Sequence, residues 1–327
     1  TPLWQFDWFN LARTVGGHTS IIPLPAPFAG QPMHALLFPG DDDAWVCAGE
    51  RAVLRYQRGQ WQRETRLPEQ ACSSMAMAAD GALLLGYADG RLRRMDASGV
   101  TTIDARQGLQ VGPVTALLQD QDLLLVAGEA GLSARIGEGR FSTVRTDMAG
   151  VLEGITGMVT DAHGRLWLNG SRGLVRMDTE SLRSAVRADQ PVAPRLFDAV
   201  DGMPGIALQS GPIPTAVLAA DGLLWLATNQ GLAWLDTNAA HVNTLAPGVR
   251  IGDVLYGATQ APLVDGLHLP AGTTQLQTAY AALSLARPER NRYRYRLSGV
   301  DDGSQEAGSS TRADTTNLAP VNLRFAA

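Results

Sequence analysis

The stretch RLWLNGSRGLVRMD, residues 165–178, decides the fold. An apolar run, Leu166 to Leu168, leads into a turn from Gly170 to Gly173, and a second run with alternating character follows. Glycine adopts the turn's backbone angles without steric penalty. Two short runs joined by so tight a turn read as a β-hairpin.

Four more segments align with it: AWVCAGERAVLRY from Ala44, LLLGYADGRLRRMD from Leu83, LLVAGEAGLSARI from Leu124 and LWLATNQGLAWLD from Leu224. With Trp45, Leu84, Leu125, Trp167 and Trp225 taken as equivalent, the spacings are 39, 41, 42 and 58 residues, so the last repeat holds an insertion of about 16. Upstream of three of these hairpins, MAMAADGALLLG, MVTDAHGRLWLNG and AVLAADGLLWLAT place a turn ending in Gly81, Gly164 and Gly222 between apolar runs, adding a strand. A fourth, more polar strand follows in GQWQRETRL and GRFSTVRTD. Four strands in about 40 residues is the size of a propeller blade. An ordinary β-sandwich with chance similarity among its hairpins is the plain alternative. Helical repeats have overlapping periods, but they need amphipathic runs of ten or more residues, which the sequence reading does not find.

Composition agrees with a turn-rich globular protein. The 327 residues are 45% hydrophobic and 18% charged, enough for one large core or two ordinary ones. The 35 glycines and 18 prolines follow no short period. A formal net charge of -5, without any basic run, excludes an electrostatic case for nucleic acid or an anionic membrane surface. No segment approaches the roughly 18–20 apolar residues of a membrane span. Thr1 in place of methionine predicts a processed or excised fragment. The two cysteines, Cys47 and Cys72, fall on strands of consecutive repeats; whether they are bonded stays open, and they do not reveal the compartment.

The aspartate-glycine turn, the "LW" strand, the small-residue turn and the "GL" strand resemble the two-component-regulator propeller repeat over residues 30–245. The insertion DGMPGIALQSG from Asp201 strengthens the likeness, although the first three repeats lack some consensus tryptophans and glycines. Residues 246–327 are similar to the triple-tyrosine domain that follows such propellers, through Tyr280, Tyr293 and Tyr295. That segment also reads as a β-sandwich on its own pattern, because Arg292, Arg294 and Arg296 alternate with Tyr293, Tyr295 and Leu297. Ser304, Thr315, Val321 and Leu323 replace the family's tryptophan, tyrosine, glycine and tyrosine, which predicts atypical last strands.

The expected architecture is therefore all-β: a propeller over 1–245, with 1–30 a partial or divergent blade, and an immunoglobulin- or fibronectin-like sandwich over 246–327. The resemblance implies about seven four-stranded blades in the full protein, of which five are clear here. It also implies a periplasmic location, the extracytoplasmic ligand-sensing region of a transmembrane receptor with a cytoplasmic kinase or diguanylate cyclase, small extracellular ligands with saccharides among them, and a homodimer through the sandwich. Membrane tethering would come only through a part beyond this chain.

The usual blade order puts the turn between second and third strands on the same face as the connections between blades. Asp89, Glu129, Arg172 and Gln230 then share one rim, joined by Asp201 and Gln209 from the long connection 187–215. These six are the expected ligand-binding residues, against the plain reading that each is a solvated turn residue. Trp45, Trp167 and Trp225 are expected to wedge between blades. No catalytic residue, metal or cofactor is expected: His18, His34, His163, His241 and His268 show no zinc-ligand spacing, and no phosphate loop or nucleophile elbow is present. Asp41 to Asp43 could offer oxygens to calcium but read better as a solvated turn. Two other functions fit such repeats, a lyase or hydrolase of the streptogramin-lyase type and a protein-binding scaffold.

Overall fold

The computed structural model describes residues 3–211, 213–239, 247–264, 267–283, 291–298, 301–316 and 324–326. The protein is all-β, with 52% of the described residues in strands and 5% in helix. It divides into two compact units, Thr1–His241 and Val242–Ala327. The expected boundary at 245/246 lies outside the described residues. Among the described residues no helix is long and apolar enough to cross a membrane.

Among the described residues the first unit is a series of six antiparallel sheets, each a meander of consecutive strands. The first has three strands, Leu3–Phe6, Asn10–Val15 and His18–Pro23. The next four have four strands each, and begin with the inner strands Met33–Gly40, Cys72–Met77, Val114–Asp120 and Gly157–Thr160. The sixth has three, Ala216–Leu218, Leu223–Thr228 and Gly231–Asp236. The five repeats of the sequence reading are thus joined by a sixth sheet, formed by the segment read as a partial blade. Inner strands of consecutive sheets lie side by side. The series returns on itself where Ile213 bridges Ala35, with Leu36 N donating to Ile213 O at 2.9 Å and Ile213 N to His34 O at 3.0 Å.

In the deciding hairpin Trp167 pairs with Arg176 and Asn169 with Leu174. Gly173, with φ near +125°, lies where a Cβ would come within 2.4 Å of the Phe197 carbonyl, so only glycine fits. Alternate side chains of each sheet point toward the sheets before and after it. Five apolar clusters result, one between each consecutive pair of sheets. Each fully buried Leu, Val or Phe contributes about 1.5–3 kcal/mol, so these clusters are the main force holding sheet on sheet.

Cys47 and Cys72 are joined in a disulfide that ties the second sheet to the third, with Cα atoms 5.9 Å apart and both side chains buried in the cluster between these sheets. The helix α1 (Thr179–Ala188) corrects the expectation that helical runs are absent. Asp178 caps it, its carboxylate accepting from Ser181 N; Leu182 is buried among the apolar residues between the fourth and fifth sheets. Arg183, also buried, pairs with Asp122 and donates to Asp120 O at 3.0 Å. The helix also corrects the place of the insertion. Most of the extra residues form the excursion carrying α1, between the third strand Gly173–Asp178 and the outer strand Arg195–Phe197, rather than the connection ahead of the last sheet.

Trp45 and Trp167 are wedged between sheets as expected, at 5% and 0% exposure. Trp225 is not. It is 41% exposed, because among the described residues no following sheet covers it.

Among the described residues the second unit contains two sheets, one of four strands, Val249–Tyr256, Thr259–Pro262, Gln275–Ala282 and Arg312–Thr316, and one of three, Tyr293–Ser298, Gln305–Gly308 and Arg324–Ala326. The three tyrosines meet between them: the Tyr280 ring lies 5.0 Å from Tyr293 and 6.5 Å from Tyr295. Tyr293 Oη accepts from Ala282 N at 3.1 Å, and burial pushes the Tyr280 phenol above its ordinary pKa. Thr315 belongs to a regular strand, whereas Val321 and Leu323 lie outside the described residues.

Candidate ligand-binding face

Every turn between second and third strands in sheets two to six meets a connection between sheets. Gly49 N donates to Pro32 O at 2.8 Å, and Gly90 lies beside the Gly112 carbonyl. Glu129 N donates to Pro113 O at 3.1 Å, and Ser171 Oγ to Glu153 O at 2.8 Å. Asn229 N donates to Ile206 O at 3.0 Å, while Asn229 Oδ1 accepts from Ile206 N at 3.1 Å. Turns and connections therefore build one face, held by backbone hydrogen bonds to the sheets beneath.

The long connection after Phe197 runs across this face. A short 3-10 turn, Ala199–Asp201, opens it, capped by Asp198, and Asp201 Oδ2 accepts from Asp198 N at 3.2 Å. Ala207 N donates to Gly170 O at 3.1 Å. Gln209 Nε2 donates to Gly154 O at 3.0 Å and to Ala207 O at 3.1 Å. The connection is thereby pinned between the turns that carry Arg172 and Gln230.

The six expected residues fall on this face but do not form one cluster. Gln209 lies on the connection, which is hydrogen-bonded beside the turns of Arg172 and Gln230; Glu129 and Asp89 stand one and two sheets further round. Several carry out structural tasks. Asp89 accepts from Arg91 N at 3.1 Å and pairs with the Arg91 guanidinium at 3.4 Å. Asp201 and Gln209 stabilise the connection itself. Arg172 makes one long hydrogen bond, to Ala149 O at 3.4 Å, and is exposed. The exposed side chains of Glu129 and Gln230 have no hydrogen-bond or ion-pair partner among the described residues. Arg172, Glu129 and Gln230 are accordingly the exposed ones with spare hydrogen-bonding capacity: one cation, one anion and one amide that donates and accepts.

Sequence reading missed the hydroxyls below this face. Ser73 Oγ donates to Val114 O at 2.6 Å, Thr115 Oγ1 to Ile155 O at 2.6 Å, and Thr156 Oγ1 to Leu208 O at 2.9 Å, with Thr215 Oγ1 2.8 Å away. Each hydroxyl stands at the start of an inner strand and links it to the next. Their spacings of 42 and 41 residues follow the repeat, a signal readable once the period is known. Asp161 was also missed. Its carboxylate, 1% exposed, accepts from Trp167 Nε1 at 2.8 Å, Arg165 Nε at 2.7 Å, Arg165 N at 3.0 Å and His163 N at 2.9 Å. Burial works against its charge, but these donors prevail and hold its pKa below the ordinary value.

Cavities lie elsewhere among the described residues of this unit. A polar cleft of about 330 Å³ between the second and third sheets is lined by Trp45, Arg55, Glu64, Arg66 and Asp96 among others. The other, about 650 Å³, separates the first sheet from the sixth. None of the six expected residues lines either. Within Asp41 to Asp43, Asp42 pairs with Arg13 and Asp43 holds Arg55 through two bonds of 3.0 and 2.7 Å. His18, His163 and His268 are exposed and His34 is half-buried, while His241 lies outside the described residues. Among the described residues, no three His, Cys, Asp or Glu side chains come together as metal ligands would.

Solved structures share this arrangement. The extracellular domain of BT3049 from B. thetaiotaomicron, a protein named as a hybrid two component system, matches 98% of this chain with a TM-score of 0.77 at 14% identity. At that identity the likeness is one of fold. Virginiamycin B lyase from Staphylococcus aureus matches 97% of the chain with a TM-score of 0.52 at 11% identity, over 92% of its own length. A streptogramin B lyase matches 71% at 0.51 and 11%. The chain spans only 45% of the BT3049 domain. No family model and no curated protein matches the sequence.

Proposed function

We propose that this chain is part of the extracytoplasmic ligand-sensing region of a bacterial transmembrane receptor. The observation that carries the reading is the face on which the exposed Arg172 and Gln230 stand on turns joined to the pinned connection after Phe197. A rigid scaffold with uncommitted polar side chains on its loops is suited to recognition. The fold shared with a sensor's extracellular domain supports the assignment, and the buried disulfide suits an oxidising, periplasmic compartment. The ligand is a small polar molecule, with saccharides the first class to test, because Arg172, Glu129 and Gln230 offer both donors and acceptors to hydroxyl groups. Binding is relayed through the tyrosine-centred second unit to a cytoplasmic kinase or diguanylate cyclase, and a homodimer through that unit would carry the signal.

The test is calorimetric titration of the purified chain with mono- and oligosaccharides. Saturable one-to-one binding that the double variant Arg172→Ala/Gln230→Ala loses supports the reading. Binding unchanged in that variant removes this face from the site.

A further inference from the structure

Arginine holds one register position in three of the sheets: Arg55 opposite Trp45 in the second, Arg94 opposite Leu84 in the third and Arg176 opposite Trp167 in the fifth. The first two are neutralised within their own sheets. Arg55 donates to the Asp43 carboxylate through Nε at 3.0 Å and Nη2 at 2.7 Å, and Arg94 pairs with Asp80 and Asp96. Arg176 has no hydrogen-bond or ion-pair partner among the described residues.

The register explains the missing partner. The place of Asp43, two residues before the tryptophan, is held in the fifth sheet by a cation, Arg165. The place of Asp96, two residues after the arginine, is held by Asp178, whose carboxylate caps α1 by accepting from Ser181 N and Oγ, both at 2.8 Å. On the outer strand Arg195 stands directly opposite Arg176, where Gln62 and Thr101 stand opposite Arg55 and Arg94. Like charges directly opposite on neighbouring strands are destabilising.

Two aromatic rings carry these cations. Arg165 and Arg176 each have Cζ 5.8 Å from the Trp167 ring centroid, Arg195 has Cζ 5.0 Å from that of Phe197, and the two rings are 5.9 Å apart. The Asp161 carboxylate beside them is 1% exposed and already accepts four hydrogen bonds. Burial, with Arg195 and Arg165 alongside, holds the Arg176 pKa below its ordinary value. All three arginines are only half-buried, so solvent reaches them.

We infer that Arg176, flanked by Arg165 and Arg195, centres a binding site for a small doubly charged oxyanion, sulfate or hydrogen phosphate. A guanidinium presents its planar donors to two oxygens of such an anion at once. The anion supplies the negative charge that Asp43 and Asp96 supply in the earlier sheets. Arg165 opens the strand that ends at Gly170, at the end of the sheet away from the turn bearing Arg172, so the site is separate from the candidate ligand-binding face.

Isothermal titration calorimetry of the full 327-residue chain with sodium sulfate and sodium phosphate, at an ionic strength held constant with chloride, tests this. One anion binds per chain, with saturation. Arg176→Gln and Arg195→Gln each weaken binding about tenfold or more, the loss of a charged hydrogen bond. Arg176→Lys, which keeps the charge, retains saturable binding, and Arg187→Gln, at an exposed arginine of α1, leaves it unchanged. Absence of saturable binding overturns the inference, as does binding that Arg176→Gln leaves unchanged. Binding lost in Arg172→Ala but kept in Arg176→Gln assigns the anion to the other face and also overturns it.

Discussion

Replacing both cysteines, Cys47→Ala with Cys72→Ala, removes the covalent tie between the second and third sheets. The bond closes a loop of 25 residues. Chain-entropy reasoning assigns such a cross-link about 3.5 kcal/mol, by restricting the unfolded chain. The alanines remain in an apolar cluster and leave no polar group unsatisfied there. For a unit of some 240 residues, each kcal/mol moves the midpoint by about 2–4 °C, so the variant melts roughly 7–14 °C lower. Scanning calorimetry of wild-type and variant, with and without reductant, measures this. The wild type under reductant should fall to the variant's midpoint, and the variant should ignore the reductant. Two free thiols in the native protein, or a variant within about 2 °C of wild type, would refute the reasoning.

Asp161→Ala should cost about 2–3 kcal/mol in chemical denaturation, since the charged hydrogen bonds of Arg165 and Trp167 lose their acceptor. The depressed pKa of Asp161 means that its contribution is present above the unfolded carboxylate's pKa near 3.9 and is lost as pH falls through the folded value. Below about pH 4 the wild type should therefore lose stability more steeply than Asp161→Asn, and parallel acid limbs would count against this role. Arg183→Ala should unfasten α1 from Asp122 and Asp120, accelerating hydrogen exchange over Thr179–Ala188 while the sheets stay protected; unchanged exchange would show that Leu182 alone docks the helix. Asp201→Ala should cost about 0.5–1 kcal/mol through its capping bond, whereas Arg172→Ala should change stability by less than about 0.5 kcal/mol, and denaturant midpoints compare the two.

The propeller was legible because its signal repeats: each hairpin is weak alone, but five in register are not. Helix α1 was hidden because it is short and its buried face includes Arg183, which a hydropathy pattern counts as exposed. The disulfide depends on how two sheets are stacked, and spacing along one chain does not reveal that. Trp225 was misplaced because repeat equivalence speaks for the position and not for the neighbour that covers it. At the candidate face, the turns could be read from their glycines. Which side chains there are already committed could not, since Gln209 and Asp201 look as available in sequence as Gln230, and only their hydrogen bonds to the connection separate them.

Hydrogen–deuterium exchange of the intact chain, with and without a saturating ligand from the saccharide titration, tests the sensing account most directly. Protection at Ser171 and Arg172, along residues 198–210 and at Asn229 and Gln230, with the sheets unchanged, is the expected footprint. Protection confined to the cleft lined by Trp45, Arg55 and Arg66 would contradict it.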